Sequence, residues 1–560
     1  MLSIFCWIAL LHSTDSIYSV YLLIGICALS ARINNEKKKR SGTRACIWSA
    51  VLFDLMVLLA NYGMFGDLTM AEKIFSVVFL PVGGFLVFYN ILVWLRAFTL
   101  RFSWKKKRYK MSPRRVFLLC FGGLCLLYLL TQLLCCYPGV VTGDSVFQLN
   151  MIDTNAYIDH HPFYHTMLIR LFYGTAMAIF GNQEVAVYCY CAAQAIMMAA
   201  IFAYTITTLY QLKINKKVII GVLAIFALLP CHLIYSFTLW KDVLFGGGVL
   251  MFAVALYRYF KQIGKSQILN IILMVLGAFA ICLIRSNGCY VFVVLVAVFF
   301  AMYYKTHLKI AIILSSVLAI SFGLKMITPA MGVVPTEPTE YYSIPLQQVA
   351  RVVVVDGNLT DEEREKIEKL APINEIKKRY LPYLSDPIKL LIRDRGMETY
   401  FAIHKKEYTS LWINVGLRNP KLYAEAWIDQ TRGYWNGGYD YWNIMIKNNL
   451  NPVRDEESSF FYRVLRKYLS FFNDFSVLRI LLSIGLFVWV TIIILYLALV
   501  KGDKDLAFLT LAPLGVIATL LISTPVFAEF RYAYAVFCCV PFLLPVLFVG
   551  KAKKAKRSKK

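Results

Sequence analysis

The side chains of this sequence that could do chemistry are concentrated in residues 142–165, which read TGDSVFQLNMIDTNAYIDHHPFYH. The stretch has no lysine or arginine, and it directly follows an apolar run long enough to cross a membrane. Its carboxylates and imidazoles belong to Asp144, Asp153, Asp159, His160, His161 and His165. A carboxylate just past the end of such a run can accept a proton from a nucleophile, so Asp144 is the candidate catalytic base. The alternative is a solvated helix cap.

The histidines of this stretch raise the question of a metal. His161 and His165 are four residues apart, a spacing that places two imidazoles on one helical face and can hold a metal ion. Pro162 falls between them, and the stretch lacks HExxH. We therefore predict no metal ligands and no required cofactor, with a divalent metal as an open alternative. Asp159, His160 and His161 are predicted to bind substrate instead.

The composition places the chain in a membrane. Of 560 residues, 59% are hydrophobic and 16% are charged, and a soluble protein cannot bury that much apolar surface. The net charge of +26 comes from short basic clusters between apolar runs, which indicates topology and not a nucleic-acid partner. The 14 cysteines lack CxxC spacing, and most lie in apolar runs, which is typical of small buried residues.

The apolar runs predict an all-α polytopic fold with about 13 transmembrane helices. They lie near 14–32, 46–64, 74–98, 115–136, 185–210, 217–237, 242–260, 268–284, 288–304, 309–328, 476–500, 506–524 and 531–550. A fourteenth run, 163–181, contains His165, Arg170 and two glycines. We predict it to be an amphipathic or re-entrant helix on the outer surface.

The basic clusters predict the orientation, because cytoplasmic loops are enriched in lysine and arginine. They lie at 32–44, 101–115, 213–217, 258–265, 305–309, 501–504 and 551–560. The loop after 136 is then outside and 213–217 is inside, so one of the two runs between them does not cross. The N-terminus is predicted outside and the C-terminus inside.

This orientation collects a few charges on the outer side. LWKD places Lys241 and Asp242 between two spans, IRSNG places Arg285 at another turn, and FAEFRYAY places Arg531 at the start of the last span. Hairpin charges often only fix the depth of a helix, and Arg531 has Glu529 nearby, but Arg285 has no carboxylate adjacent in the sequence. Because these charges share a side with Asp144, we predict that all four bind substrate.

Changes in composition along the chain predict five regions. They are an N-terminal transmembrane extension 1–114, a transmembrane core 115–328 with a first outer loop 137–184, a mixed extracytoplasmic domain 329–475, C-terminal transmembrane helices 476–550 and a basic cytoplasmic tail 551–560. In the extracytoplasmic domain, Thr360 and Glu363 predict a capping box. The aromatic stretch 432–442 suits stacking on sugars, or resting on the membrane interface.

These features together resemble the GT-C superfamily of membrane glycosyltransferases, such as protein mannosyltransferases and the aminoarabinose transferase of lipid A. In that superfamily an acidic residue in the first outer loop precedes a His-Pro-Pro-like segment. Asp144 matches the first feature, and His161-Pro162 matches the second, with Phe163 in place of the second proline. No WWDYG-like motif is present. The chain is also similar, over about 115–550, to an uncharacterised bacterial family sharing YPGVVTGDS, DHHPFYH, LWKD and IPLQQVAR.

The resemblance implies a function at the bacterial plasma membrane with an extracytoplasmic active site. The donor would be a sugar on a polyprenyl phosphate or diphosphate, and the acceptor a glycan, lipid or protein. Asp144 would be the base or would orient the acceptor, and Lys241, Arg285 and Arg531 would hold the departing phosphate. The superfamily implies an inverting reaction.

Two other functions stay open at this point. A transporter or flippase of lipid-linked saccharides also needs many spans, but it would place polar groups at the midplane and show an internal repeat, and the sequence shows neither. A non-catalytic envelope assembly protein could use 329–475 as a binding module.

Overall fold

A computed structural model describes residues 44–65, 70–105, 109–264, 266–437, 444, 446, 449–450 and 459–550. Within these residues the fold is all-α, and β-structure is limited to isolated bridges. The helices that carry most of the apolar runs are α1 (Arg44–Ala60), α2 (Met70–Arg101), α3 (Pro113–Cys135), α4 (Gly143–Thr154), α5 (Phe163–Ile169), α6 (Thr175–Phe180), α7 (Gln183–Gln211), α8 (Lys216–Leu228), α9 (Pro230–Tyr235), α10 (Lys241–Phe260), α11 (Ile268–Ile284), α12 (Gly288–Tyr303) and α13 (Leu308–Ile327).

The remaining helices form the polar segment and the C-terminal part of the chain. They are α14 (Pro338–Tyr341), α15 (Ser343–Val354), α16 (Asp361–Leu370), α17 (Ile373–Arg379), α18 (Asp386–Asp394), α19 (Glu398–Ile403), α20 (Lys405–Arg418), α21 (Pro420–Trp435), α22 (Phe460–Asp474), α23 (Ser476–Arg479), α24 (Ile484–Lys501), α25 (Lys504–Ile522) and α26 (Tyr534–Val546). Short 3-10 turns lie at Tyr62–Phe65, Pro329–Met331, Ile480–Leu482 and Phe530–Ala533.

The apolar helices are consistent with an all-α membrane protein. Among the described residues, seven helices are long and apolar enough to cross a membrane, and three shorter apolar helices accompany them. The predicted run 14–32 and the basic tail 551–560 lie outside the described residues. The total of about thirteen crossings therefore stays a prediction.

The two ends of the helix bundle differ in chemistry. One end, here called the basic end, gathers the described residues of the basic clusters at 101–115, 213–217, 258–265, 305–309 and 501–504. There the Tyr109 and Tyr210 rings stack with their centroids 4.6 Å apart, and Lys261 Nζ lies 2.6 Å from Asp505 Oδ2. Trp104 Nε1 also donates to the Pro545 carbonyl at 2.8 Å. The opposite end, here called the site end, carries Asp144, Lys241, Arg285 and Arg531.

Residues 137–182 leave the bundle and return to it at the site end. Gln132 Nε2, near the end of α3, donates to the Pro138 carbonyl at 2.7 Å and to the Tyr188 carbonyl, on the second turn of α7, at 3.3 Å. Because α3 ends where α7 begins, the helix formed by α5, the π-helical turn Arg170–Gly174 and α6 starts and finishes on one side of the bundle. This geometry agrees with the prediction that 163–181 does not cross.

The run 217–237, predicted as one span, is instead a broken helix. Helix α8 ends at Leu228, and α9 begins at Pro230. Proline has no N–H to donate, and it forces the preceding Leu229 into an extended conformation (φ −65°, ψ 125°). After α9 the chain turns at Ser236 and Phe237 and then runs into the site end; we call residues 236–240 the strap.

Helix α10 lies at the centre of the bundle and is buried along most of its length. Its glycine run permits this position, because a β-carbon at Gly247 would lie 2.6 Å from Met198 Sδ, and one at Gly248 would lie 2.5 Å from Ala280 Cβ. Small residues let neighbouring helices approach closely in this way. The central position fixes the site-end residues at the start of α10.

The segment predicted as extracytoplasmic contains a second hydrophobic core, formed by residues between Ala350 and Tyr423. The predicted capping box is confirmed, since Thr360 N–H donates to Glu363 Oε2 at 3.0 Å and Glu363 N–H donates to Thr360 Oγ1 at 3.3 Å. We call residues 338–423 the polar domain. It docks on the site end, where Lys389 Nζ donates to the Pro525 carbonyl at 2.9 Å.

The C-terminal part of the segment predicted as extracytoplasmic packs against the bundle and not within the polar domain. Leu465 and Leu469 of α22 belong to the core of the bundle, as do Tyr434 and Trp435 of the aromatic stretch. Tyr434 and Trp435 are buried, which makes them packing residues, whereas 438–443 lie outside the described residues.

Candidate functional site

The site begins at the first turn of α4, which carries Asp144. Thr142 is the N-cap residue, and its N–H donates to Ser145 Oγ at 3.0 Å. Ser145 Oγ in turn donates to the Leu239 carbonyl at 2.7 Å. The helix dipole favours a carboxylate in this position, so Asp144 is both held and stabilised at the start of α4.

The chain leading into α4 is held in register with the strap after the broken helix. Val140 N–H donates to the Phe237 carbonyl at 3.1 Å, and Leu239 N–H donates to the Val140 carbonyl at 3.0 Å. Gly139 permits this approach, because it has a φ of +155° and a β-carbon there would lie 2.7 Å from Cys191 Sγ. The pairing places the Asp144 turn beside the residues that open α10.

Asp144 forms an ion pair with Arg531. Arg531 Nη1 lies 2.5 Å from Asp144 Oδ2, and Arg531 Nε lies 2.9 Å from Glu529 Oε1. The Asp144 side chain is 39% exposed, whereas that of Arg531 is 12% exposed. Arg531 therefore joins two carboxylates, and Asp144, at 39% exposed, is more accessible to an incoming molecule than Glu529, at 20%.

The charges around Asp144 set its protonation state. Burial would raise its pKa, but the charges of Arg531 and Lys241 outweigh that effect and hold the pKa of Asp144 well below its usual range. Glu529 behaves in the opposite way, since burial raises its pKa despite its contact with Arg531. Asp144 is consequently ionised at neutral pH.

Two aromatic rings hold the guanidinium groups at the site end. The Arg531 guanidinium lies 5.0 Å from the centroid of the Trp240 ring and 5.0 Å from that of Tyr532. Trp240 Nε1 donates to Thr142 Oγ1 at 2.7 Å, which ties this cation–π contact to the cap of α4. The Arg285 guanidinium lies 4.9 Å from the same Tyr532 ring. Arg285 and Arg531 thus share one aromatic neighbour.

Asp242 and Arg285 form a buried ion pair. Arg285 Nη1 donates to Asp242 Oδ1. The Arg285 side chain is 6% exposed and the Asp242 side chain is 1% exposed. The carboxylate that Arg285 lacks in the sequence is therefore supplied by the first turn of α10. Both were predicted to bind substrate; in the structure each is buried and has the other as its ion-pair partner.

Lys241 contacts a histidine. Its Nζ lies 3.0 Å from His161 Nδ1, and no carboxylate in the described part of the chain lies within 4.0 Å of this ammonium group. Burial and the neighbouring Lys241 charge hold the pKa of His161 well below its usual range. His161 is therefore neutral: its Nδ1 accepts a hydrogen bond from the Lys241 ammonium group, and its own proton is on Nε2.

Asp159 and His160 contact the segment that directly precedes the polar domain. Asp159 N–H donates to the Val334 carbonyl at 2.8 Å, and its Oδ1 accepts from Phe163 N–H at 3.4 Å. His160 Nδ1 lies 3.4 Å from Glu337 Oε2. Of the predicted substrate-binding residues of this stretch, the structure brings only His161 into contact with Lys241.

His165 is separate from this cluster. It is fully buried, with Nδ1 3.0 Å from Gln148 Nε2 and Nε2 3.1 Å from the Tyr190 hydroxyl. Burial lowers its pKa to about 3. Both ring nitrogens are engaged, so the spacing of His161 and His165 does not produce a metal site. Among the described residues, no group of three His, Cys, Asp or Glu side chains is placed to hold a metal ion.

Three residues of the site were not among the predicted ones: Trp240, Tyr532 and Glu529. Each is adjacent or nearly adjacent in sequence to a predicted residue, in LWKD and in FAEFRYAY. An aromatic residue beside a predicted phosphate-binding cation is the signal that could have found Trp240 and Tyr532. Two cavities, one inside the polar domain and one beside Arg170, do not include these residues.

A comparison with protein families shows which family the chain belongs to. Residues 152–560 match the model of DUF6020, a family of unknown function. The chain belongs to the DUF6020 family. The DUF6020 match includes His161, Lys241, Arg285 and Arg531, while Asp144 precedes it. No curated protein and no solved structure matches the chain.

Proposed function

We propose that this protein is a membrane glycosyltransferase of the GT-C type. It moves a sugar from a polyprenyl-phosphate-type lipid to an acceptor on the extracytoplasmic face, with Asp144 as the general base. The observation that carries the proposal is the Asp144–Arg531 pair, in which a partly exposed, ionised carboxylate lies beside a cation able to bind phosphate. The resemblance of the sequence to GT-C enzymes supports the same function.

The cations of the site suit a departing phosphate. Lys241 has His161 as its contact, so its charge is available to an anionic group. Arg531 can exchange Asp144 for a phosphate oxygen and keep Glu529 as its second partner. Cations placed where charge develops in the transition state lower its free energy, since they need no reorganisation during the reaction.

The transfer step follows from these roles. A hydroxyl oxygen of the acceptor bonds to the anomeric carbon of the sugar, and the bond between that carbon and the phosphate oxygen breaks. Asp144 receives the hydroxyl proton. The bonding electron pair leaves with the polyprenyl phosphate, whose added negative charge is stabilised by Lys241 and Arg531.

Donor binding should also make Asp144 a stronger base. In the structure, Arg531 and Lys241 depress the pKa of Asp144, which makes it a weak base. A phosphate that compensates these two cations removes this effect, so the pKa of Asp144 rises when the donor is bound. Proton transfer is thereby coupled to the presence of the donor.

The test compares three strains with the wild type: a deletion, Asp144→Asn, and the matched control Asp394→Asn. Asp394 is 61% exposed and lies in the polar domain. Lipid and glycan profiling is expected to show the same lost glycan, or the same accumulated polyprenyl-linked sugar, in the deletion and in Asp144→Asn. The Asp394→Asn strain should match the wild type, and immunoblots of membranes should show equal protein for both variants.

One result would overturn the proposal. If the deletion alters the glycan or lipid profile while Asp144→Asn at normal abundance matches the wild type, no step depends on the Asp144 carboxylate. The transporter or assembly function would then explain the profile better.

A further inference from the structure

A second polar depression lies at the other end of α4 and is not part of the site described above. Its volume is about 580 Å³, and its lining includes Ile152, Asp153, Arg170, Tyr173, Met177 and Ile179. Asp153 follows Asp144 by nine positions, which corresponds to about 13 Å along a helix. The depression is thus a separate place on the same surface helix.

Two opposite charges line this depression without pairing with each other. Arg170 Nη1 donates to Asn155 Oδ1 at 3.1 Å and to the Tyr157 hydroxyl at 2.7 Å, and both partners are neutral. Asp153 accepts from the Tyr173 hydroxyl, which lies 3.1 Å and 3.2 Å from its two oxygens. In the described part of the chain, no carboxylate lies within 4.0 Å of the Arg170 guanidinium. Both charges remain available to a ligand.

The backbone around the depression is built to hold these groups. Arg170 and Tyr173 lie on the π-helical turn Arg170–Gly174, which interrupts the helix between α5 and α6. Such turns are rare in proteins, and those that occur often lie at functional sites. Tyr173 is 1% exposed, and Gln183 Nε2 donates to its hydroxyl at 3.3 Å, so the hydroxyl that holds Asp153 is fixed.

Apolar side chains project beside the depression. Leu171, Ile179 and Phe180 are 60%, 67% and 59% exposed. Three large apolar residues this exposed on one short helix favour contact with lipid, because contact with water would cost free energy. A ligand of the depression therefore has charged groups next to an apolar part.

We propose that this depression binds the phosphoethanolamine headgroup of a membrane lipid. The phosphate lies against Arg170, the ammonium group donates to Asp153, and the acyl chains run along Leu171, Ile179 and Phe180. A zwitterion matches the two opposite charges, whereas a purely anionic headgroup would leave Asp153 next to negative charge. Phosphocholine is a zwitterion too, but its quaternary ammonium group has no N–H to donate to Asp153. The volume is within the range of small-molecule sites.

The test uses the purified full-length protein and native mass spectrometry in detergent. Phosphatidylethanolamine, phosphatidylglycerol and phosphatidylcholine with identical acyl chains are each added at equal concentration, and bound lipid is counted. We expect phosphatidylethanolamine to be retained about fivefold or more over the other two lipids. Arg170→Gln should remove this preference, and the matched control Arg395→Gln, an exposed arginine of the polar domain, should keep it.

The second variant separates the two charges. Asp153→Asn removes the carboxylate but leaves Arg170, so the protein should now retain phosphatidylglycerol at least as well as phosphatidylethanolamine. Equal retention of all three lipids by the wild type would overturn the proposal, as would wild-type preference for phosphatidylglycerol. Unchanged selectivity in both variants would overturn it as well. Thermal-shift curves confirm that each variant is folded before its lipids are counted.

Discussion

The Asp144 carboxylate and the Arg531 guanidinium lie 2.5 Å apart, although 387 positions separate them in the sequence. The pair joins the first turn of α4 to the 3-10 turn that precedes α26. Trp240, on the strap before α10, lies against the same guanidinium. Three distant parts of the chain thus define one position for Arg531.

We expect the Arg531→Gln variant to lose most of its sugar-transfer activity, although the protein still inserts into the membrane. Removing one group that stabilises developing charge costs a factor of about 10² to 10³ in rate. Arg531→Lys keeps the charge but loses the two-carboxylate geometry and the stacking on Trp240, so it should recover only part of the rate. The measurement is transfer in membranes with the donor identified by lipid profiling, with Arg395→Gln as the control. Full activity of Arg531→Gln would remove Arg531 from phosphate binding.

The Asp242–Arg285 pair predicts a different result, loss of folded protein. Asp242→Asn leaves the Arg285 charge buried without its counter-ion, which costs about 3–5 kcal/mol. The double variant Asp242→Leu with Arg285→Met removes both charges and should recover most of the stability. The checks are the yield of monodisperse protein and the melting temperature in detergent. If the single variant is as stable as the wild type, the pair does not stabilise the fold.

His165 predicts acid sensitivity. Its pKa is about 3 in the fold and 6.5 in an unfolded chain, so the unfolded state binds the proton more tightly. The stability that neutral His165 contributes is fully present above pH 6.5 and is lost as the pH falls toward 3. At pH 5 the loss is about 2 kcal/mol.

The measurement for His165 is the melting temperature between pH 7.5 and pH 4.5. His165→Gln should flatten the decline relative to the wild type, whereas His404→Gln, on α19–α20 of the polar domain, should leave it unchanged. An equally steep decline in His165→Gln would show that other groups cause the acid sensitivity.

The orientation of the bundle is open to direct labelling. Asp394→Cys lies in the polar domain, and Lys216→Cys lies at the basic end. In intact cells, a membrane-impermeant maleimide should label Asp394→Cys and not Lys216→Cys, with the wild-type chain as the background control. A reporter fused after residue 470 should likewise read as outside. Labelling of Lys216→Cys alone would invert the topology and place the Asp144 site in the cytoplasm.

The sequence by itself determined the class of the protein and the side of its bundle on which the charges lie. Apolar runs correspond to helices because the length and hydrophobicity of a membrane helix are local properties. The capping box at Thr360 and Glu363 was predictable for the same reason, since its two residues are three positions apart. The helix break at Pro230 is local as well, because a proline changes the conformation of the residue before it. The prediction of a single span over 217–237 overlooked this signal.

The tertiary structure decided which charges are partners. Arg285 has no adjacent carboxylate in the sequence, and only the packing of α11 against α10 brings Asp242 to it. His161 and His165 share a sequence spacing, yet Pro162 and the packing of α7 send His161 to Lys241 and His165 to Tyr190. Ion pairs and hydrogen bonds depend on distances across the bundle, which the pattern of residues along one chain segment does not contain.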